Sequence, residues 1–99
     1  MLRVIVCCVN GMGTSQMIKM KVEKIFSKLG IENNVLHASI GEAKKIASNY
    51  DVVFCPLPYT KEFETAAVKG TKIIGVKNLL SEKELEEKIR EHILNEPVH

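Results

Sequence analysis

Cys7-Cys8-Val9-Asn10-Gly11-Met12-Gly13-Thr14-Ser15 brings adjacent thiols, two spaced glycines and two hydroxyls into one short stretch near the start of the chain. Gly11 and Gly13 keep the backbone free of Cβ atoms, so successive N–H groups are able to converge on one point. Thr14 and Ser15 then open a helical pattern, and a helix start adds unpaired N–H groups and a positive dipole end. Anions bind in such surroundings, and a thiol placed there loses its proton more readily. The chemistry implied is a Cys8 thiolate in a phosphate cradle built from Val9, Asn10, Gly11, Met12, Gly13, Thr14 and Ser15.

Other chemistries lack their residues. A nucleotide P-loop needs Lys followed by Ser or Thr after its last glycine, whereas Gly13 is followed directly by Thr14. A dinucleotide fingerprint needs a third glycine near Gln16. Adjacent Cys7 and Cys8 lack the Cys-x-x-Cys spacing of a disulfide oxidoreductase. The three cysteines and His37, His92 and His99 show no ligand pairs at metal-binding spacing, so neither a metal nor another cofactor is expected. A Cys-x5-Arg phosphatase clamps phosphate with its Arg, but that position holds Thr14 counted from Cys8, or Gly13 counted from Cys7. No Asp-Pro general acid is evident near Pro56 or Pro58. A cradle that holds a phosphoryl group on sulfur without the means to hydrolyse it fits a carrier better than a phosphatase.

The elements that must position this loop follow from periodicity. Residues 2–8 read as a buried strand and 14–29 as a helix, with Met17, Ile18, Val22, Ile25, Phe26 and Leu29 on its apolar face and Gly30 as its cap. Lys19, Lys21, Glu23, Lys24 and Lys28 lie largely away from that face. Strand two spans Asn34 to Ser39, with a short helix from Gly41 to Asn49. Strand three is 51–55, and Pro56-Leu57-Pro58-Tyr59-Thr60 forms a stiff loop. A weak helix covers 61–69, strand four 72–76, and a Ser81-to-Glu84 capping box opens a helix with Leu85, Ile89 and Ile93 inward, ended by Asn95 and Pro97. Cys7 is expected to face the core and Cys55 to pack, and His37 reads as structural or surface. Strands alternating with helices predict a small α/β fold with a four-stranded, mostly parallel sheet flanked by helices. Alternation does not fix the strand order; the expectation is the flavodoxin- or Rossmann-like order 2-1-3-4. That order sets the loop after Cys8 beside the loop after Cys55, both lining one site.

Composition narrows the class. The 99 residues predict one domain over 1–99, and 45% hydrophobic with 26% charged residues is ordinary for a soluble globular protein. A net charge of +2 with no Trp, two Tyr and three Phe gives no platform for nucleic acid. No apolar run approaches the roughly 20 residues of a membrane span, and none resembles a signal peptide. Three cysteines, two of them adjacent, fit a reducing cytoplasm.

Cys8-Val9-Asn10-Gly11-Met12-Gly13-Thr14-Ser15, followed by Met20-Lys21-Val22, resembles the phosphocysteine loop and first helix of enzyme IIB of the bacterial sugar phosphotransferase system (PTS). Gly41-Glu42-Ala43-Lys44 and Gly75-Val76-Lys77-Asn78-Leu79-Leu80-Ser81 resemble the ascorbate-type branch, and the likeness runs in order over nearly the whole chain. Cys7 departs from it where a plain apolar residue is expected, and Cys55 to Tyr59 matches only loosely. The resemblance implies that a IIA phosphohistidine donates to Cys8, which passes the group to a sugar-like substrate, L-ascorbate, held by a membrane IIC permease. The first-helix lysines then have a second reading besides a solvated face: contact with an acidic IIA or the cytoplasmic side of the membrane. Two alternatives stand beside this: a low-molecular-weight cysteine phosphatase or arsenate-reductase-like enzyme, and a non-catalytic domain that keeps the loop only as an anion site.

Overall fold

The computed structural model describes residues 2–8, 14–79 and 81–93, with backbone alone at 8, 14 and 15. In chain order these form β1 (Leu2–Cys8), α1 (Thr14–Lys28), β2 (Asn33–Ser39), α2 (Ile40–Ile46), β3 (Val52–Pro56), α3 (Glu64–Val68), β4 (Lys72–Val76) and α4 (Glu82–His92). Single 3-10 turns cover Ala47–Asn49, and a longer 3-10 segment covers Leu57–Phe63. The strands form one parallel sheet, as the alternation of elements predicts, and their order is the expected β2-β1-β3-β4.

The central strands are apolar without alternation because both of their faces are covered. Val4 to Cys7 of β1 are 0% exposed, and Val52 to Cys55 of β3 are no more than 1% exposed. Parallel strands joined by helical crossovers require this, since helices end up on each side of the sheet. On one face Val4, Val6, Phe54 and Ile74 pack against Ile18, Val22, Ile25 and Phe26 of α1 and Leu85 and Ile89 of α4. Phe26 meets Phe54 edge-on, with ring centroids 6.4 Å apart and planes at 66°. On the other face Ile5, Cys7, Val53 and Cys55 pack against Ala43, Ala47, Ala66 and Phe63. The alanines there let α2 and α3 lie close to the sheet.

Local signals explain the boundaries. Helix α1 closes in a Schellman arrangement: Ile31 N–H donates to Phe26 O at 2.9 Å, Gly30 N–H to Ser27 O at 3.1 Å, and Gly30 has φ +75°. Ser81 caps α4 by accepting the Glu84 N–H at 3.3 Å. The Glu84 carboxylate does not complete a reciprocal box. Ser81 N–H is already bonded to Asn78 O at 3.0 Å, so the carboxylate accepts from the backbone of Lys77 at 2.7 Å and Asn78 at 3.0 Å.

Four expectations need correction. Pro56 ends β3 instead of opening a loop: its φ of −59° and ψ of 140° are extended, so it pairs with Val76 as the last residue of the strand. The stretch after it is a 3-10 segment, not a loop, because Pro58 near its start suits a helical first turn. The second helix is α-helical only to Ile46 before it tightens. Met17 is 54% exposed: it sits at the margin of the α1 stripe, 100° round from Ile18, and faces Glu82 across a shallow groove. Asn95 and Pro97, expected to end the last helix, lie outside the described residues.

Candidate functional site

All four strands point the same way, so their C-terminal ends share one edge of the sheet. From β1 the chain crosses to β2 on one side and returns past β1 to β3 on the other, so the order reverses at β1. Crevices for ligands form at such a reversal, beyond the strand C-termini. Cys8 is the last residue of β1 and Thr14 the first of α1, so the two residues that flank the Gly-rich connection stand at the place where the fold would form such a crevice. The first turn of α1 contains no acidic residue, which leaves its positive end uncompensated by carboxylates of its own.

The neighbours of Cys8 are set by register. On β2 its partner is Ser39. Ser39 caps α2: its hydroxyl accepts the Glu42 N–H at 3.3 Å and donates to Glu42 Oε1 at 3.0 Å. On the other side, the register Val4↔Val52 through Val6↔Phe54 carries Cys8 to the level of Pro56. The 3-10 segment Leu57–Phe63 therefore rises beside the crevice. It leans on β4 at Gly75 and is tied to α2 by a Lys44–Glu62 ion pair at 3.1 Å.

Beneath the crevice lie two thiols, both 0% exposed. Cys7 Sγ donates to Phe54 O at 3.3 Å, and Cys55 Sγ contacts Ile74 O at 3.9 Å. A hydrogen bond with Cys7 draws the Cys55 pKa below the ordinary thiol value, while burial acts in the opposite direction. Closed off from solvent, both behave as small core residues, as expected for Cys7 and Cys55.

The structure thus brings the backbone of Cys8, Thr14 and Ser15 to one edge. Val9, Asn10, Gly11, Met12 and Gly13 lie outside the described residues, as do the side chains of Cys8, Thr14 and Ser15. His37 is half-buried along β2, and the carbonyl of His92 accepts from the Lys72 ammonium at the far end of α4. His99 lies outside the described residues. Three α1 lysines are more than a solvated face: Lys21 and Lys24 approach Glu82 at 3.7 and 3.9 Å, and Lys28 pairs with Glu86 at 3.1 Å, stitching α1 to α4. Glu42 entered the sequence reading only through the Gly41-Glu42-Ala43-Lys44 resemblance and Ser39 only as a strand end, so their cap was not foreseen. Their Ser-x-x-Glu spacing is the same signal that Ser81 and Glu84 carry.

Residues 3–91 match the family model described as PTS system, Lactose/Cellobiose specific IIB subunit. The chain is 41% identical over 86 residues to the ascorbate-specific PTS system EIIB component of Mycoplasma pneumoniae, covering 87% of this chain and 88% of that protein. It is 32% identical over 92 residues to the component of the same description from Salmonella typhimurium, covering 92% of this chain and 88% of that one. Among solved structures, the lactose-specific IIB component domain from Streptococcus pneumoniae superposes with a TM-score of 0.72 at 20% identity, over 93% of this chain and 97% of that domain.

Proposed function

Because the chain belongs to the PTS lactose/cellobiose-specific IIB family, a family of phosphotransferase components, we propose that Cys8 is its phosphoryl-carrying residue. The observation that carries this reading is the backbone placement of Cys8 at the end of β1, at the order reversal, opposite the start of α1. A IIA protein or domain donates from phosphohistidine: the P–N bond breaks with its electron pair returning to the imidazole, and a sulfur pair forms the S–P bond. In the second step the S–P bond breaks, the thiolate is regenerated, and a substrate hydroxyl takes the group after giving its proton to the acceptor side.

The cradle of Val9 through Ser15 stabilises charge in both steps. Its N–H groups and the positive end of α1 offset the thiolate and the phosphoryl dianion, and the Thr14 and Ser15 hydroxyls add donors. Gly11 and Gly13 let the backbone close on the group. The acceptor is L-ascorbate bound to a membrane IIC permease. The two relatives named ascorbate-specific, at 41% and 32% identity, support that substrate class. Among the described residues no helix is long and apolar enough to cross a membrane, so the permease supplies the membrane-spanning part. The reading places the whole of 1–99 in one cytoplasmic unit.

The test is phosphorylation by a phosphorylated IIA protein, followed by adduct mapping under non-acidic conditions. Phosphate on Cys8, absent from Cys8→Ala and present in Cys7→Ala and Cys55→Ala, is the expected result. Phosphate on another residue, or an unaltered yield in Cys8→Ala, refutes it.

A further inference from the structure

Two Ser-x-x-Glu caps in this chain end differently. At Ser81 the hydroxyl accepts the Glu84 N–H, and the carboxylate turns away to the backbone of Lys77 and Asn78. At Ser39 the hydroxyl also accepts the helix N–H, but the Glu42 carboxylate turns back and takes the hydroxyl proton at 3.0 Å. The cap needs only the first of these bonds. The second holds a carboxylate at the end of β2, on the residue that pairs in register with Cys8. Adjacent strands lie about 4.8 Å apart, so the residue that holds this charge is the immediate neighbour of Cys8 across the sheet.

Other charges lie on the elements packed there. Lys44 of α2 is paired with Glu62 of the 57–63 segment at 3.1 Å. Lys45 of α2 and Lys61 of that segment are exposed, His37 lies two residues down β2, and the first charge on α1 is Lys19.

We propose, on the premise that Cys8 carries the phosphoryl group, that Glu42 is a positioning residue that makes phospho-Cys8 a stronger donor. Its charge, held at the strand end by Ser39, opposes both the thiolate and the phosphoryl dianion. A cradle of N–H groups alone would stabilise the loaded state and slow its release, since binding that does not distinguish bound state from transition state gives no rate. A nearby negative charge lifts the loaded state. Glu42 exchanges no proton and forms no bond in either step.

The test uses the full chain as wild type, Glu42→Gln, Glu42→Asp and Ser39→Ala. Alkylation by iodoacetamide against pH, read at Cys8 by mass spectrometry, gives the thiol pKa. Glu42→Gln should lower it by about half a unit, the size expected for one charge roughly 8 Å away in a mostly aqueous setting. The difference should vanish in 1 M salt, where screening acts within about 3 Å. Glu42→Asp should restore the wild-type profile, and Ser39→Ala should fall between. At equilibrium with a phosphorylated IIA, Glu42→Gln should hold about threefold more phosphate, which is the same half unit expressed as a ratio. A wild-type pH profile in Glu42→Gln, or a shift that survives high salt, overturns the proposal. If wild-type Cys8 takes no phosphate, the carrier reading fails by itself, and with it this proposal's premise. An alkylation shift without a phosphate excess in loaded Glu42→Gln also overturns the proposal.

Discussion

Leu57 rests on Gly75 with no room for a side chain between them: a Cβ at Gly75 would lie 2.7 Å from Leu57 Cδ1, 2.6 Å from Thr60 Cγ2 and 3.3 Å from Leu57 Cα. The bare backbone at 75 therefore sets how low the 57–63 segment sits over β4, and so how the wall beside the β1 crevice stands.

Gly75→Ala should destabilise the fold by about 1–3 kcal/mol, the usual cost of overpacking, despite the entropy that replacing a glycine recovers. It should also slow phosphoryl transfer without moving the pKa of the Cys8 thiol. Thermal melting and a transfer assay check this together. An unchanged melting temperature would show that Leu57 and Thr60 give way freely.

The Cys8 thiol should titrate below the free value of about 8.5, because the end of α1 and the loop N–H groups favour the thiolate. The alkylation rate of wild type minus that of Cys8→Ala, followed against pH, reads it directly. An inflection at or above the free value would sink the cradle.

Purified protein should turn over aryl phosphates poorly. Thr14 stands where a cysteine phosphatase has its Arg clamp, so hydrolysis lacks that charge stabilisation. Robust turnover that disappears in Cys8→Ala would put the phosphatase reading first.

Gly13→Val should block transfer from a IIA donor yet melt like wild type. Gly13 directly precedes Thr14, where α1 starts, and belongs to the Gly-rich connection and not to an apolar stripe. A Cβ branch there crowds the phosphate or strains the turn. Normal transfer with normal melting would show that the loop is not close-fitting.

Glu86→Gln should lower the melting temperature at pH 7 and lose that effect in acid. Lys28 donates to the Glu86 carboxylate at 3.1 Å and Arg90 at 3.3 Å, and the Lys28 bond leads in holding its pKa below the ordinary carboxylate value. A carboxyl that binds protons less well when folded stabilises the fold above its unfolded pKa of about 4.3, and stops doing so as pH falls through the folded value. The pair is surface-exposed, so added salt should shrink the difference as well. A pH-independent difference would mean that Glu86 acts through packing.

Strands β1 and β4 have the same limits in the fold as in the sequence, because each is a short, mostly apolar run that stops where polar residues and glycine or asparagine follow. Alternation of elements predicted the parallel sheet but left the strand order open, so 2-1-3-4 was an expectation of fold class, and the position of Cys8 at a strand end followed from where the glycines begin. Met17 was misplaced because helical periodicity marks a stripe but not its margin, and Met17 lies at that margin, exposed. Pro56 was misread because a missing N–H excludes a residue from mid-ladder but not from the last pair of a strand. Which way Glu42 and Glu84 turn was invisible, since two identical Ser-x-x-Glu spacings differ only in the backbone N–H groups that tertiary structure leaves free nearby.

The thiols of Cys7 and Cys55 also give the protein an internal clock. They sit on the two central strands, 0% exposed, one step below the crevice. A reagent reaches them only when β1 and β3 part, so their labelling rate measures how often the centre of the sheet opens. Mass spectrometry separates that slow signal from any reaction at Cys8, without a mutation or an attached probe. Followed in the free protein and with a partner docked on the strand ends, it tells whether association is felt in the core or stops at the surface.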